Sequence, residues 1–357
     1  MQKNELHNKR VFSFDLIRII AVLAVVFIHS SGGLTAGYSP SSFTFIIENL
    51  IDSIARLGVP LFIMITGALM LKENKIVDKK TNFKYALKIF FLLYFWSFFY
   101  SSVNQLIGVV LVKQPFSFKQ FFTVFIEGYY HLWYLYMLFS FALIMPILRA
   151  FVKKENSKLV LYFVLLSIVF QFSVPLLNLA VEQLTGVSNL ITDYAARYKL
   201  DFIGEYTTYF LIGWYIANIE IKKKHRYILY IVGAVSFLTT VLSIQLLSER
   251  IPTIYDVVYS NLNVNILFSS IAVFVAIYYF FKDRNYEKYS AIATKLSSLT
   301  FGVYLLHPLF LMTICRMYNM QSALLQIFLN WLIATVGALA LTYILSKTPY
   351  VKKLVVF

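Results

Sequence analysis

The sequence predicts an all-α polytopic membrane protein with about ten transmembrane helices and both termini cytoplasmic. Three observations lead there. The 357 residues are 59% hydrophobic and 18% aromatic, with a mean hydropathy of +0.71, whereas soluble globular chains sit near 45–50% apolar. Ten apolar stretches each approach or exceed the roughly 20 residues a bilayer requires. The basic residues between them alternate in density: 24 of the 32 fall in every second segment, six in the others, and Arg18 and Arg56 lie inside spans. Positive charge gathers on the cytoplasmic side, so the bias places both ends there. It also accounts for the net charge of +15 without any nucleic-acid partner.

The spans, in order, are 11–30, 42–71, 83–111, 131–152, 157–179, 201–219, 227–248, 261–281, 296–317 and 322–346. The first is not expected to be a cleaved signal peptide, because Asp15 and Arg18 interrupt its apolar run. The second and third are long enough to tilt, kink or emerge as helical extensions. The longest stretches outside the spans are 112–130 and 180–200; the first, rich in phenylalanine, suits an amphipathic segment lying in the interface. No soluble domain or repeat interrupts the chain, so residues 1–357 read as one integral membrane domain. Cys315, the single cysteine, sits in an apolar span and has no internal disulfide partner.

Charged side chains inside spans carry the functional signal, because they are costly there and face a protein interior or a wet cavity. In the first span Arg18 and His29 are eleven residues apart. That is about three helical turns, so both point the same way, about 16 Å apart along the axis. Asp15 falls near the same line, one turn from Arg18 and close enough to pair with it. His29, toward the outer half, is placed to act as a proton acceptor for a substrate arriving from outside. The second span carries Glu48, Asp52 and Arg56, spaced four and four, hence on one face and able to pair. Gly58 and Pro60 then permit a kink, and Thr66 and Gly67 a close helix contact.

Other polar residues admit two readings. His131 in YYHLWYLY belongs to an interfacial aromatic belt or to a site. His307 in SLTFGVYLLHPLF, with Tyr304 one turn away, either satisfies the carbonyl that Pro308 frees or faces the same cavity as His29. Asp201 and Glu205, opening the sixth span, face an acceptor cavity or mark the interface. His7 and His225 receive no role. The five histidines are scattered without metal-ligand spacing, so no metal is expected. No serine sits in a nucleophile elbow.

These stretches resemble the integral membrane acyltransferases of the acyltransferase-3 family. FDLIRIIAVLAVVFIHS is similar to that family's first-helix signature, an arginine followed after ten intervening residues by a histidine and preceded by D-x-x-R; Asp15, Arg18 and His29 match it. RLGVPLFIMITGALML resembles the second-helix run, with Thr66 where the family carries serine. FKYALKIFFLLYF looks like the basic start of the third helix, with Lys84 and Lys88 where arginines are more usual. HLWYL and FGVYLLHPL are similar to further family blocks, and the resemblance covers nearly the whole chain. The blocks lean toward the O-acetyltransferases that modify surface polysaccharide.

The resemblance implies a multi-pass protein of a bacterial cell membrane with no permanently bound cofactor. Its donor is acetyl-CoA or another acyl-CoA entering from the cytoplasm, and its acceptor is a hydroxyl of a glycan or lipid-linked saccharide at the outer face. It implies His29 as general base and Arg18 holding donor phosphate or pantetheine or stabilising developing negative charge, with Asp15, Arg56, His307 and Tyr304 in a supporting catalytic or structural role. The cluster Lys72, Lys75, Lys79, Lys80, Lys84 and Lys88 suits the polyanionic CoA, Lys84 and Lys88 foremost, though it is also the ordinary positive-inside signal. Family variants use an acyl-enzyme or a fused extracellular domain; this chain carries no such domain, so direct transfer is the expectation. The competing readings are a transporter or flippase of a polysaccharide or lipid-linked sugar, which also needs a polar interior, and a non-catalytic partner in a polymer-synthesis complex.

Overall fold

A computed structural model describes residues 11–356 apart from 33, 35–36, 73–78, 199–203, 252–253, 283 and 285. His7, Lys75 and Asp201 therefore lie outside the described residues. The described chain is helical throughout: α1 Phe12–Ser31, α2 Phe43–Ala55, α3 Gly58–Met70, α4 Lys79–Val110, α5 Phe118–Glu127, α6 Trp133–Phe151, α7 Ser157–Ser167, α8 Val174–Thr185, α9 Leu190–Arg197, α10 Glu205–Asn218, α11 Lys223–Leu247, α12 Ile254–Val258, α13 Val264–Phe281, α14 Glu287–Met312, α15 Ala323–Leu345 and α16 Pro349–Val355. It falls into two compact units, one of residues 1–70 with 154–357, the other of residues 71–153.

In the larger unit α1 is the central post, packed against α2, α3, α13, α14 and α15. Its apolar faces explain this: Ile17, Ala21, Val22, Val25 and Val26 are all buried. The second expected span is broken in two. Helix α2 begins at Ser42, whose hydroxyl accepts from the Phe45 N–H, and ends where Arg56 and Leu57 turn the chain before α3. Pro60 sits in the first turn of α3, where a missing N–H costs nothing. The fifth expected span is longer than its apolar pattern suggests. A π-helical turn at Ile168–Phe172 links α7 to α8, and Pro175 again occupies a first-turn position, so the helix runs on to Thr185.

Nine helical stretches among the described residues are long and apolar enough to cross a membrane, against ten expected. The sixth expected span, 201–219, is α10, of 14 residues. That is about 21 Å of helix, short of a hydrocarbon core of about 30 Å. Protein sheathes it instead of lipid: Tyr209, Phe210, Leu211 and Trp214 are wholly buried. Helices α3 and α10 touch backbone to backbone. A Cβ on Gly67 would overlap the Phe210 carbonyl, and one on Gly213 would overlap the Met64 carbonyl, so two glycines facing each other set the separation.

In the smaller unit α4 packs on α5 and α6. The buried face of α4 runs through Ala86, Ile89, Leu93, Trp96 and Tyr100, that of α6 through Leu135, Leu138, Ala142 and Met145, each at helical spacing. Asn82 donates to the Ala142 carbonyl across them. Helix α5 buries none of its residues and exposes Phe118, Phe122 and Ile126, as suits an interfacial segment.

Replacing Gly67 or Gly213 by alanine forces a methyl against a backbone carbonyl that cannot rotate away. Each variant is expected to lose about 1–3 kcal/mol or more, read as a lower melting temperature in detergent. Gly108→Ala, which meets nothing within 4 Å, should melt like the parent.

Candidate active site

The polar stripe of α1 is anchored at its start. Asp15 is 2% exposed and accepts from the Thr294 hydroxyl of α14 at 3.0 Å. Arg18, one turn on, is half-buried, as is His29 near the other end. The two share a face about 16 Å apart along the helix.

At the far end α1 and α14 bring two imidazoles together. The rings of His29 and His307 stack with centroids 5.3 Å apart and planes 23° apart. His307 is fully buried, and its orientation follows from the proline beside it. Pro308 has no N–H, so the carbonyl four residues earlier, that of Tyr304, loses its helical donor. His307 Nδ1 lies 2.8 Å from that same oxygen and 3.2 Å from the Val303 carbonyl. A carbonyl only accepts, so Nδ1 carries the proton. The first sequence reading of His307 is what the geometry shows, since it satisfies the kink; it also stacks on His29, but it is not among the described residues that line the cavity. The Tyr304 ring, 6.5 Å from that of His307, completes the aromatic wall.

The acidic face of α2 forms the other side. Arg56 donates from Nη2 and Nε to Asp52 Oδ2 at 2.8 and 3.2 Å, the pairing its four-residue spacing predicts. The guanidinium also lies 4.4 Å from the centre of the Tyr259 ring, a cation–π contact. The Tyr259 hydroxyl donates to Asn49 Oδ1 at 2.9 Å, and Asn49 Nδ2 donates to the Val241 carbonyl at 3.0 Å. One chain of contacts thus ties α2 to α11 and to the segment after α12.

Asp52, Arg56 and Tyr259 border a cavity of about 770 Å³, within the range of small-ligand sites; its described lining does not include His29, His307 or Tyr304. Ile28 and Ser31, which flank His29, form part of its wall, with Glu48, Asp52 and Arg56. Arg56 also lies within electrostatic reach of His29. The opposite wall was not legible in the sequence: Tyr206, Glu249, Tyr255, Asp256, Tyr259 and Asn261. Most come from the irregular stretch around the five-residue α12, where no periodicity marks a face. Of the expected acidic pair at the start of the sixth span, Glu205 is exposed at the start of α10. No group of three metal-ligating side chains occurs among the described residues.

In the smaller unit Lys84 and Lys88 are exposed on α4. His131 is buried there, edge-on to Tyr100 with centroids 4.9 Å apart, while Tyr100 stacks on Tyr129 at the same distance. This is the aromatic setting the sequence offers as one of its two readings.

Arg56→Ala leaves the Asp52 carboxylate, 3% exposed, without its counter-charge. Breaking one side of a buried pair costs on the order of 3 kcal/mol, expected as a lower melting temperature. Adding Asp52→Asn should recover much of that loss, since it removes the stranded charge; a double variant as unstable as the single one would refute the pairing.

A family profile described as an acyltransferase domain matches residues 11–347 and so runs across both units. No match occurs among curated proteins or solved structures. The chain belongs to the acyltransferase-3 family of membrane acyltransferases, multi-pass enzymes of acyl transfer that draw on an acyl-CoA-type donor.

Proposed function

We propose that the protein is an O-acetyltransferase that moves the acetyl group of cytoplasmic acetyl-CoA to a hydroxyl of a cell-surface or lipid-linked glycan, the whole chain acting as one domain. The observation that carries this reading is the stack of His29 on His307 at the end of α1 that also supplies Ile28 and Ser31 to the cavity wall. His29 takes the proton of the acceptor hydroxyl as its oxygen attacks the thioester carbonyl. The tetrahedral intermediate then collapses, the C–S bond breaks, and the CoA sulfur leaves as thiolate, protonated in turn from His29. His307 holds the His29 ring in place, its own orientation fixed by the Tyr304 carbonyl. Arg18 lies about 16 Å from His29 along the helix, too far for its side chain to stabilise the oxyanion. It acts on the phosphate and pantetheine end of the donor, with Lys84 and Lys88 offering further positive charge.

His29→Ala should lower acetyl transfer by about 10²–10⁴-fold, the contribution of a positioned base, while the protein still folds. Arg18→Ala should weaken acetyl-CoA binding, and Arg18→Lys should rescue it poorly, since one ammonium cannot replace a guanidinium fork. Radiolabelled acetyl-CoA supplied to inverted vesicles reads both. Full transfer by His29→Ala would move the base elsewhere, and normal transfer by both variants with failed sugar export would favour a transporter.

The orientation depends on α10. The charge bias places both termini in the cytoplasm, which requires an even number of crossings and hence that α10 crosses despite its length. Reporters fused to either end should both be active only in the cytoplasm; a C-terminal reporter active outside would overturn this topology.

A further inference from the structure

The charge of the cavity beside His29 defines the kind of glycan that fits it. Its wall holds four carboxylates, Glu48, Asp52, Glu249 and Asp256, against one guanidinium, that of Arg56. Asp52 already neutralises Arg56, and the exposed Glu249 and Asp256 leave the lining net negative. A cluster of acids alone would say little, but two further features point to a hydroxyl-bearing ligand. Asp52 is 3% exposed, and its second oxygen, Oδ1, has no hydrogen-bond partner among the described residues. A buried acceptor left this way costs free energy until a donor reaches it. The carboxylates also share the wall with the rings of Tyr206, Tyr255 and Tyr259. Apolar ring faces beside acceptor oxygens match a sugar, whose C–H face is apolar and whose hydroxyls donate.

We infer that this cavity is the acceptor subsite and that it takes a saccharide without anionic groups, neutral or amine-bearing, and excludes one carrying carboxylate, sulfate or phosphate next to the accepting hydroxyl. The inference builds on the acyl-transfer reading above and adds the substrate class. Hydroxyl donors satisfy the carboxylates, an ammonium adds attraction, and an anion held in the cavity meets like charge within a Debye length, where screening is incomplete. Glu249 and Asp256 are exposed, so their charge can be removed without opening the core.

The test uses the full chain purified in detergent with three fluorescent tetrasaccharides of one size: chitotetraose, which is neutral, its fully de-N-acetylated form, which is cationic, and tetragalacturonate, which is anionic. The first two should bind at least tenfold more tightly than the third. In the double variant Glu249→Gln with Asp256→Asn, the gap between chitotetraose and tetragalacturonate should shrink to about threefold. Binding of tetragalacturonate as tight as that of chitotetraose, no change in the gap in the double variant, or no binding of any of the three would each overturn the inference. Acetyl transfer from labelled acetyl-CoA in vesicles separates the two claims. Transfer retained without charge selectivity removes this inference alone; selectivity retained without transfer removes the reaction and leaves the site.

Discussion

A guanidinium inside an apolar bundle must be neutralised where it sits, and the site is built around how Arg56 meets that demand. The Asp52 carboxylate one turn before it supplies the charge, and the face of Tyr259 covers part of the guanidinium, the remainder facing the cavity. Both contacts require α2 to stop where it does, because Arg56 and Leu57 form the turn between α2 and α3. The Tyr259 hydroxyl must in turn bond Asn49, which fixes the segment after α12 against α2. The pair adds little net stability, since desolvation offsets much of the Coulomb gain. Its effect is positional: it holds two walls of the cavity at the separation a small ligand needs, with His29 close by.

The histidine pair obeys the same logic of satisfying what the fold leaves bare. Pro308 strips the Tyr304 carbonyl of its donor, and inside a membrane no water replaces it. His307 supplies the N–H. In doing so its ring loses rotational freedom and its tautomer is set, so His29 stacks against a partner of fixed orientation. A proline that would be a liability in a soluble helix here orients the ring on which His29 stacks.

Much of this was legible in the sequence because it rests on helical periodicity. Arg18 and His29 share a face by spacing alone, Asp52 and Arg56 pair at four residues, His307 lies beside the carbonyl freed by Pro308, and Gly67 marks a close approach. What the sequence hid came from places where periodicity stops. Gly213 gave no hint that it faces the backbone near Met64, because close approach is a property of two helices and the sequence shows one at a time. Glu249, Asp256 and Tyr259 lie in or beside irregular chain around α12, so nothing marked them as facing Asp52. Helix α10 was read as an ordinary span, yet it has only 14 residues, and its burial among other helices is a tertiary property that its apolar run does not reveal.

In the proposed reaction the length of α1 separates two tasks that one site could not perform together. A polyanionic donor needs positive charge, whereas the cavity next to His29 is rich in carboxylates. Placed side by side, the two fields would cancel, and each ligand would be repelled by the other's site. About 16 Å of helix between Arg18 and His29 keeps the two fields apart. The part of the donor that crosses this gap must then be its uncharged portion. An extended pantetheine arm with the thioester at its tip has that character, so the proposed reaction would put the acyl carbon at His29 and the phosphates at the arginine end.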